Sequence, residues 1–399
     1  MHPTYDAIVV GLGAHGSATV AELARRGAKV LGIERFERGH AKGSFVGRSR
    51  IIRLAYFEHP DYVPLLRRAW DRWLELERET GERLLHPTGG LYAGAAGSEV
   101  VEGSLRSARE HGLAHEALTT DDLRRRFPWL RVDDGMAGLY EPQAGYLVPE
   151  LCIESHLRVA ERHGAELRFS DGVDDWHKDG DAVGVHTAAG ARYEAGRLVL
   201  TPGAWLPPLL PDVTLPLAIE RVPLFWYQPV KPETFRDIPV YIVETGEGSF
   251  YGFPLDDHGL KVARHGGGAP VPVRHTSITA PGGWTMTTVS VPALDLLDRA
   301  IGPDDDKRVR AFVRRYLPDG DGPLREGVVC MYTKTPDGHF VVDRLERMPN
   351  VVFASACSGH GFKFASVMGE ILADLALEGR TSLPIGFLSA SRFTGRARS

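Results

Sequence analysis

Hydrophobic positions change period repeatedly along this chain, and each change marks an element. Asp6 to Val10 is an apolar run rich in β-branched residues, the pattern of a strand buried on both faces of a parallel sheet. The run breaks at Gly11-Leu12-Gly13-Ala14-His15-Gly16. From Ser17 to Arg26 the period is helical, with Val20, Leu23 and Ala24 on one face and Gly27 placed to stop it. Lys29 to Glu34 is a second strand, and Arg35 to Arg50 is a polar loop without apolar periodicity. Asp61 to Thr80 predicts a helix through Leu66, Ala69, Trp70, Trp73 and Leu76, a spacing that makes the two tryptophans core residues. Leu84 to Tyr92 reads as short strands, Ala108 to Pro128 as further helix, and Glu150 to His163 as a helix after Tyr140–Val148.

Ala165 to Leu200 predicts strands with glycine-rich turns, including Gly184 to Thr187 and Arg192 to Tyr193; they end in Arg197–Leu200 and the turn Thr201-Pro202-Gly203. Val222–Tyr227 and Val240–Gly252 carry the aromatic, alternating pattern of antiparallel strands, and Asp304–Leu317 that of a charged amphipathic helix. Asn350–Ala356 is again a buried strand. It runs through the glycine turn Cys357-Ser358-Gly359-His360-Gly361 into a helix from Phe362 to Leu377, with Gly379 after it. The amino end of that helix presents backbone amides suited to a developing negative charge.

The first strand–helix–strand unit carries chemistry. The spacing of Gly11, Gly13 and Gly16 lets backbone amides approach a pyrophosphate at a helix start, and Glu34 stands where it can accept hydrogen bonds from an adenosine ribose. At 399 residues the chain calls for two domains. A net charge of −5 gives no reason to expect nucleic acid or an anionic membrane as partner, and no apolar span is long enough to cross a bilayer. Three cysteines, Cys152, Cys330 and Cys357, lack disulfide density and CxxC spacing. With the first strand beginning almost at Met1, the expectation is a cytoplasmic, reduced protein. His258, His265 and His275 show no ligand spacing, so no metal is expected. Arg48 reads as a surface residue. Arg50 and Arg53 flank two isoleucines, and cations held there need an anionic partner or a catalytic task.

These residues also carry a resemblance. Gly11-x-Gly13-x-x-Gly16, Arg50-Ile51-Ile52-Arg53 with Ala55-Tyr56, Tyr251-Gly252-Phe253-Pro254 and Gly259-Leu260-Lys261 are in register with one family nearly end to end. The most specific stretches are Cys330-Met331-Tyr332-Thr333-Lys334-Thr335 and Ser358-Gly359-His360-Gly361-Phe362-Lys363. The chain resembles the monomeric sarcosine oxidase and N-methyl-L-tryptophan oxidase group of the glycine/D-amino-acid oxidase flavoproteins. The resemblance implies an α/β fold. An FAD-binding Rossmann-like domain would be assembled from residues 1–85, 150–217 and 326–390, beside an α+β substrate domain with an antiparallel sheet from 86–149 and 218–325.

It also implies an FAD joined covalently to Cys330, which without it would read as a buried structural thiol. Cofactor contacts are expected from Gly11, Gly13, Gly16, Glu34, Arg35, Ser44, Arg50, Gly203, Cys330, Gly359, Gly361 and Lys363. Arg53 and Lys363 match the pair that holds the substrate carboxylate, and Tyr251, His265 and Tyr332 match residues beside the substrate amine. Lys261 matches the lysine that activates oxygen, and Arg50 a second cation on the flavin; Lys261, Arg50, Tyr251 and His265 form the implied catalytic set. One stretch departs: Gly43-Ser44-Phe45-Val46-Gly47 stands where the family carries histidines. The implied activity is oxidation of a secondary (N-methyl) amino acid such as sarcosine to an imine, hydrolysed to formaldehyde and the primary amino acid, with O2 reduced to H2O2 by a monomer. Alternatives are a cyclic imino acid (proline or pipecolate) oxidase, a flavin dehydrogenase with another electron acceptor, a nicotinamide-dependent dehydrogenase and a non-catalytic flavin-binding protein.

Overall fold

The computed structural model describes residues 4–213, 215–271, 274–279, 285–290 and 297–393, with the strands 274–279 and 285–290 described by backbone alone. His275 therefore has no described side chain. Two sheets dominate. The parallel core of the first runs Met348–Ser355, Arg192–Leu200, Tyr5–Val10, Val30–Ile33 and Glu166–Arg168. Val10 stands beside both Leu200 and Ile33, and Leu200 beside Phe353, so these strands end at one edge. Ligands of open parallel sheets bind at that edge.

The helices Ala14–Arg25, Pro149–Arg162 and Ala365–Leu377 cover this sheet, burying Val20, Leu23, Leu157, Val367 and Ile371. The first and last approach closely: a Cβ on Gly369 would stand 2.6 Å from the Ala18 backbone. Far-separated parts of the chain thus build one layer.

Among the described residues the second sheet has nine strands. Leu324–Lys334 pairs with Ala218–Tyr227; then come Leu260–His265, Gly248–Gly252, Val240–Thr245, Gly90–Ala95, Met136–Glu141 and Glu116–Leu118. Ala269–Pro270 also pairs with Ala218–Tyr227. Pairing is antiparallel except between Val240–Thr245 and Gly90–Ala95. Because side chains alternate, the register divides the sheet into two faces. One face carries Phe225, Tyr227, Tyr241, Phe250 and Val262 into a core with Val309, Phe312 and Val313 of the helix Lys307–Tyr316. The other carries Leu224, Lys261, His265, Tyr251, Ile242, Tyr92, Glu141, Cys330 and Tyr332.

Most predicted elements recur with shifted ends. The first helix begins at Ala14 and the helix of Trp73 at Val63, after a 3-10 turn Pro60–Tyr62. The last helix begins at Ala365, after a 3-10 turn Phe362–Phe364. The reading of Gly184–Thr187 and Arg192–Tyr193 resolves into the strands Ala182–Thr187 and Arg192–Leu200, with the turn between them. Helix over Ala108–Pro128 is corrected: Glu99–Glu110 and Thr120–Arg126 are separate helices around a strand Glu116–Leu118. Gly112, at φ +60°, ends the first. Thr119 starts the second through a capping box with Asp122. Arg50, placed at the end of the loop, opens a strand Arg50–Ile52 paired with Gly145–Leu147.

Candidate active site

The first glycine turn is built for a close backbone approach. Gly11 has φ +87°, and a Cβ there would stand 2.6 Å from Pro202 Cα. A Cβ on Gly16 would overlap the Gly11 carbonyl, whereas Gly13 is open except for the Phe45 ring at 3.7 Å. Gly13 caps the helix Ala14–Arg25 without a side-chain acceptor, and no acidic residue occupies the first turn. Such a helix end, with its amides facing a cavity, suits a phosphate.

That cavity has a volume of about 320 Å³ and lies along the carboxyl edge of the parallel sheet. Gly11, Gly13, Glu34, Arg35, Ser44 and Gly203 line it. The Glu34 carboxylate accepts the amides of Leu12 and Phe36 at 2.8 and 3.1 Å, which fixes it between the glycine turn and the loop. His40, Phe45 and Trp205 also line the cavity. His40 and Phe45 belong to the loop without periodicity, and Trp205 to the 3-10 turn Gly203–Trp205. The departure at Phe45 thus puts an aromatic ring, edge-on to His40 at 5.2 Å, against the cavity.

A smaller inner cavity of about 80 Å³ adjoins the first through Ser44, Cys357 and Phe362. The second sheet contributes Leu224, Ile242, Tyr251, His265, Cys330 and Tyr332; the segment after the loop contributes Arg50, Arg53, Phe57 and Glu58; the last glycine turn contributes Gly359, His360, Gly361 and Lys363. Of the residues expected at the site, Gly16 and Lys261 line neither cavity. Gly16 sits behind the turn that it allows to close. Lys261 is 1% exposed, and its ammonium donates to the Gly47 and Ser49 carbonyls at 2.5 and 2.8 Å and to Ser49 Oγ at 3.0 Å. Burial, reinforced by Arg50, pushes its pKa well below the usual lysine range.

Each cation of the inner cavity has its own anchor. Arg50 reaches Val46 O at 2.6 Å and Cys330 Sγ at 3.5 Å. Burial raises the Cys330 thiol pKa, with Arg50 pulling it down. Arg53 lies between the rings of Tyr56 and Phe57, 4.2 and 4.3 Å away. Its Nη2 meets both Glu58 oxygens at 2.7 and 2.6 Å, and its Nη1 donates to Ala55 O at 3.1 Å. Burial works against the Glu58 charge, but Arg53, His360 and Lys363 outweigh it and hold its pKa at about 2. Lys363 Nζ donates to His360 O at 2.8 Å; burial, with Arg53 beside it, lowers its pKa to about 7.

Burial also keeps the imidazoles neutral, His265 near 4 and His360 near 3. His360 bridges Tyr56 OH at 2.5 Å and Gly338 O at 3.0 Å, so Nε2 carries the proton and Nδ1 accepts from Tyr56. Trp73, buried as expected, donates to Lys363 O at 2.9 Å and supports the last turn from behind. Gly359, at φ +82°, leaves no room for a Cβ, which would stand 2.6 Å from the Tyr332 ring. Glu58, His360 and Glu141 were not anticipated. Their partners in space are set by tertiary folding, and no local spacing announces them.

An open helix end and a fixed carboxylate line one cavity, and a chamber of cations and phenols adjoins it, an arrangement that suits a dinucleotide-dependent redox protein. The chain matches the model of the FAD dependent oxidoreductase family over residues 6–375. It is 43% identical over 400 residues to a monomeric sarcosine oxidase of Streptomyces avermitilis, covering 98% of each chain. It is 33% identical over 392 residues to an N-methyl-L-tryptophan oxidase of Salmonella arizonae, covering 98% of this chain and 99% of that one. An L-proline dehydrogenase of P. horikoshii has the same fold, with a TM-score of 0.81 at 21% identity and full coverage of both chains. The chain belongs to the FAD dependent oxidoreductase family. It is an enzyme, and its cofactor is FAD. No helix among the described residues is long and apolar enough to cross a membrane.

Proposed function

We propose that the enzyme oxidises a small secondary amino acid, sarcosine or a close N-methyl analogue, with O2 as electron acceptor and H2O2 as product. The observation that carries this reading is the inner cavity, which Arg53 and Lys363 line together with Tyr251, His265 and Cys330. The similarity to sarcosine oxidases and N-methyl-L-tryptophan oxidases supports the same class of substrate.

In this reading the outer cavity would take the adenosine and pyrophosphate, with Gly11, Gly13 and the helix amides on the phosphates, Glu34 and Arg35 at the ribose end and Ser44 and Gly203 further along, while Gly359 and Gly361 would meet the flavin end from the inner cavity. Cys330 carries the covalent attachment, with Arg50 beside its sulfur. Bound FAD supplies the acceptor for the two electrons of the C–H bond next to nitrogen.

The remaining work falls to side chains. The substrate carboxylate replaces Glu58 on the Arg53 fork and is met by Lys363. Tyr251, Tyr332 and neutral His265 orient the amine without charging it, and a neutral amine retains the lone pair that C–H cleavage needs. Phe57, Leu224 and Ile242 keep water out. Lys261 stands behind Arg50 as the cation on the oxygen side. The imine product leaves to hydrolyse to formaldehyde and the primary amino acid. The three cysteines are unpaired, which suits a reducing cytoplasm, and the similarity to a monomeric sarcosine oxidase supports a monomer.

A peroxide-release screen over N-methyl and cyclic amino acids tests the reading. Peroxide and formaldehyde with sarcosine support it. Peroxide with L-proline or L-pipecolate alone would make the enzyme a cyclic imino acid oxidase, and turnover only with an artificial acceptor would make it a dehydrogenase.

A further inference from the structure

We propose that Glu141 is a positioning residue for carboxylate binding: it holds the turn that follows Arg53 in the shape that aims the guanidinium into the inner cavity. The inference rests on the reading of Arg53 as a carboxylate anchor. Glu141 ends the strand Met136–Glu141, is 1% exposed, and lies on the same sheet face as Tyr92, Ile242 and Tyr251. One of its oxygens accepts the amides of Leu54 and Ala55 at 2.8 and 3.0 Å, and the other accepts the Tyr92 hydroxyl at 2.9 Å.

Those amides directly follow Arg53, beyond the end of the strand Arg50–Ile52. Glu141 is the acceptor that lets them be buried; without it two adjacent donors lose their partner. Ala55 is gripped at both polar atoms, its N–H by Glu141 and its carbonyl by Arg53 Nη1 at 3.1 Å. A carboxylate arriving in the cavity competes with Glu58 for Nη2, but it does not replace Ala55. The direction in which the freed fork points is then set by the turn, and the turn is set by Glu141. The charged and titratable groups facing Glu141 are Arg53 and Tyr92; burial raises the Glu141 pKa to about 7, with the Tyr92 hydroxyl, the Leu54 and Ala55 amides and the Arg53 charge pulling the other way.

The test titrates acetate into the FAD-loaded enzyme and its variants, following the flavin absorbance. Glu141→Ala is expected to weaken acetate at least about tenfold, and to raise the KM of an N-methyl substrate more than it lowers kcat. Flavin content and the unliganded spectrum should stay those of the parent. Glu141→Gln keeps an acceptor oxygen in the same volume and should recover most of the loss. If Glu141→Ala does not fold, Glu141→Asp decides: it keeps the carboxyl group but places it one methylene short of the turn, and acetate should weaken at least about threefold. Acetate affinity equal to the parent's in the folded Ala variant, or in the Asp variant where Ala does not fold, overturns the proposal. So does a Gln variant as impaired as the Ala variant. Arg53→Ala, run in parallel, separates the two readings. If it leaves acetate binding unchanged, the carboxylate role of Arg53 fails; if it weakens binding while the Glu141 variants do not, the positioning role alone fails.

Discussion

Four cationic side chains lie within or beside the inner cavity, and their partners distinguish their roles. Arg53 is satisfied by Glu58, so in the proposed reading a substrate carboxylate would exchange with the one already there. Glu58→Gln removes the resident competitor, and acetate should bind several-fold tighter. The same variant leaves a buried guanidinium poorly paired and should be less stable by about 3–5 kcal/mol in denaturant melts. The Glu58 pKa is lowered from 4.5 to about 2, so the pair's stabilisation is complete above the unfolded value and is lost as pH falls between them. Lys363 responds in the other range. With a pKa near 7 it is a cation below neutrality, so carboxylate affinity should fall as pH rises through about 7. Acetate binding measured against pH should show this slope in the parent and lose it in Lys363→Met. Lys261 touches neither chamber, and Lys261→Met should slow the reaction of the reduced enzyme with oxygen far more than reduction by substrate. Stopped-flow measurement of the two half-reactions decides that; equal impairment would make Lys261 a support for the Gly47–Ser49 turn instead.

At the scale of elements, the glycine turns are not interchangeable. Gly27 and Gly359 have nearly the same φ, +81° and +82°, but a Cβ on Gly27 meets nothing within 4 Å while one on Gly359 meets Tyr332 at 2.6 Å. Gly27→Ala should therefore cost only the left-handed backbone strain, about 1–2 kcal/mol, and leave acetate affinity unchanged. Gly359→Ala should pay the same strain and also displace Tyr332, weakening acetate and altering the flavin spectrum. Thermal melts and the acetate titration, run on both, check the contrast. These differences also explain what the sequence makes legible. The first strand–helix–strand unit is local, and its glycine spacing and Glu34 can be read directly. The break at Gly112 and the restart at Thr119 were hidden because helical spacing continues on both sides of them. Glu141 is 87 residues from Leu54, and His360 is 304 from Tyr56; no pattern along the chain links such partners before the fold does.

At the scale of the molecule, the site exists only where the two sheets meet. The first supplies a parallel edge and an open helix end, while Cys330 comes from a strand of the second, opposite Val222. Covalent attachment at Cys330 would tie the cofactor to both layers: acid-precipitated enzyme should stay yellow, and Cys330→Ser should release its flavin. The measurement that tests the whole account most directly is an anaerobic titration of the purified enzyme with sarcosine, followed by admission of oxygen. Sarcosine should bleach the flavin without any added nicotinamide, oxygen should restore the colour, and formaldehyde and peroxide should appear in equal amounts. A flavin that sarcosine and its N-methyl analogues leave oxidised, or one that they reduce but oxygen does not restore, would contradict it.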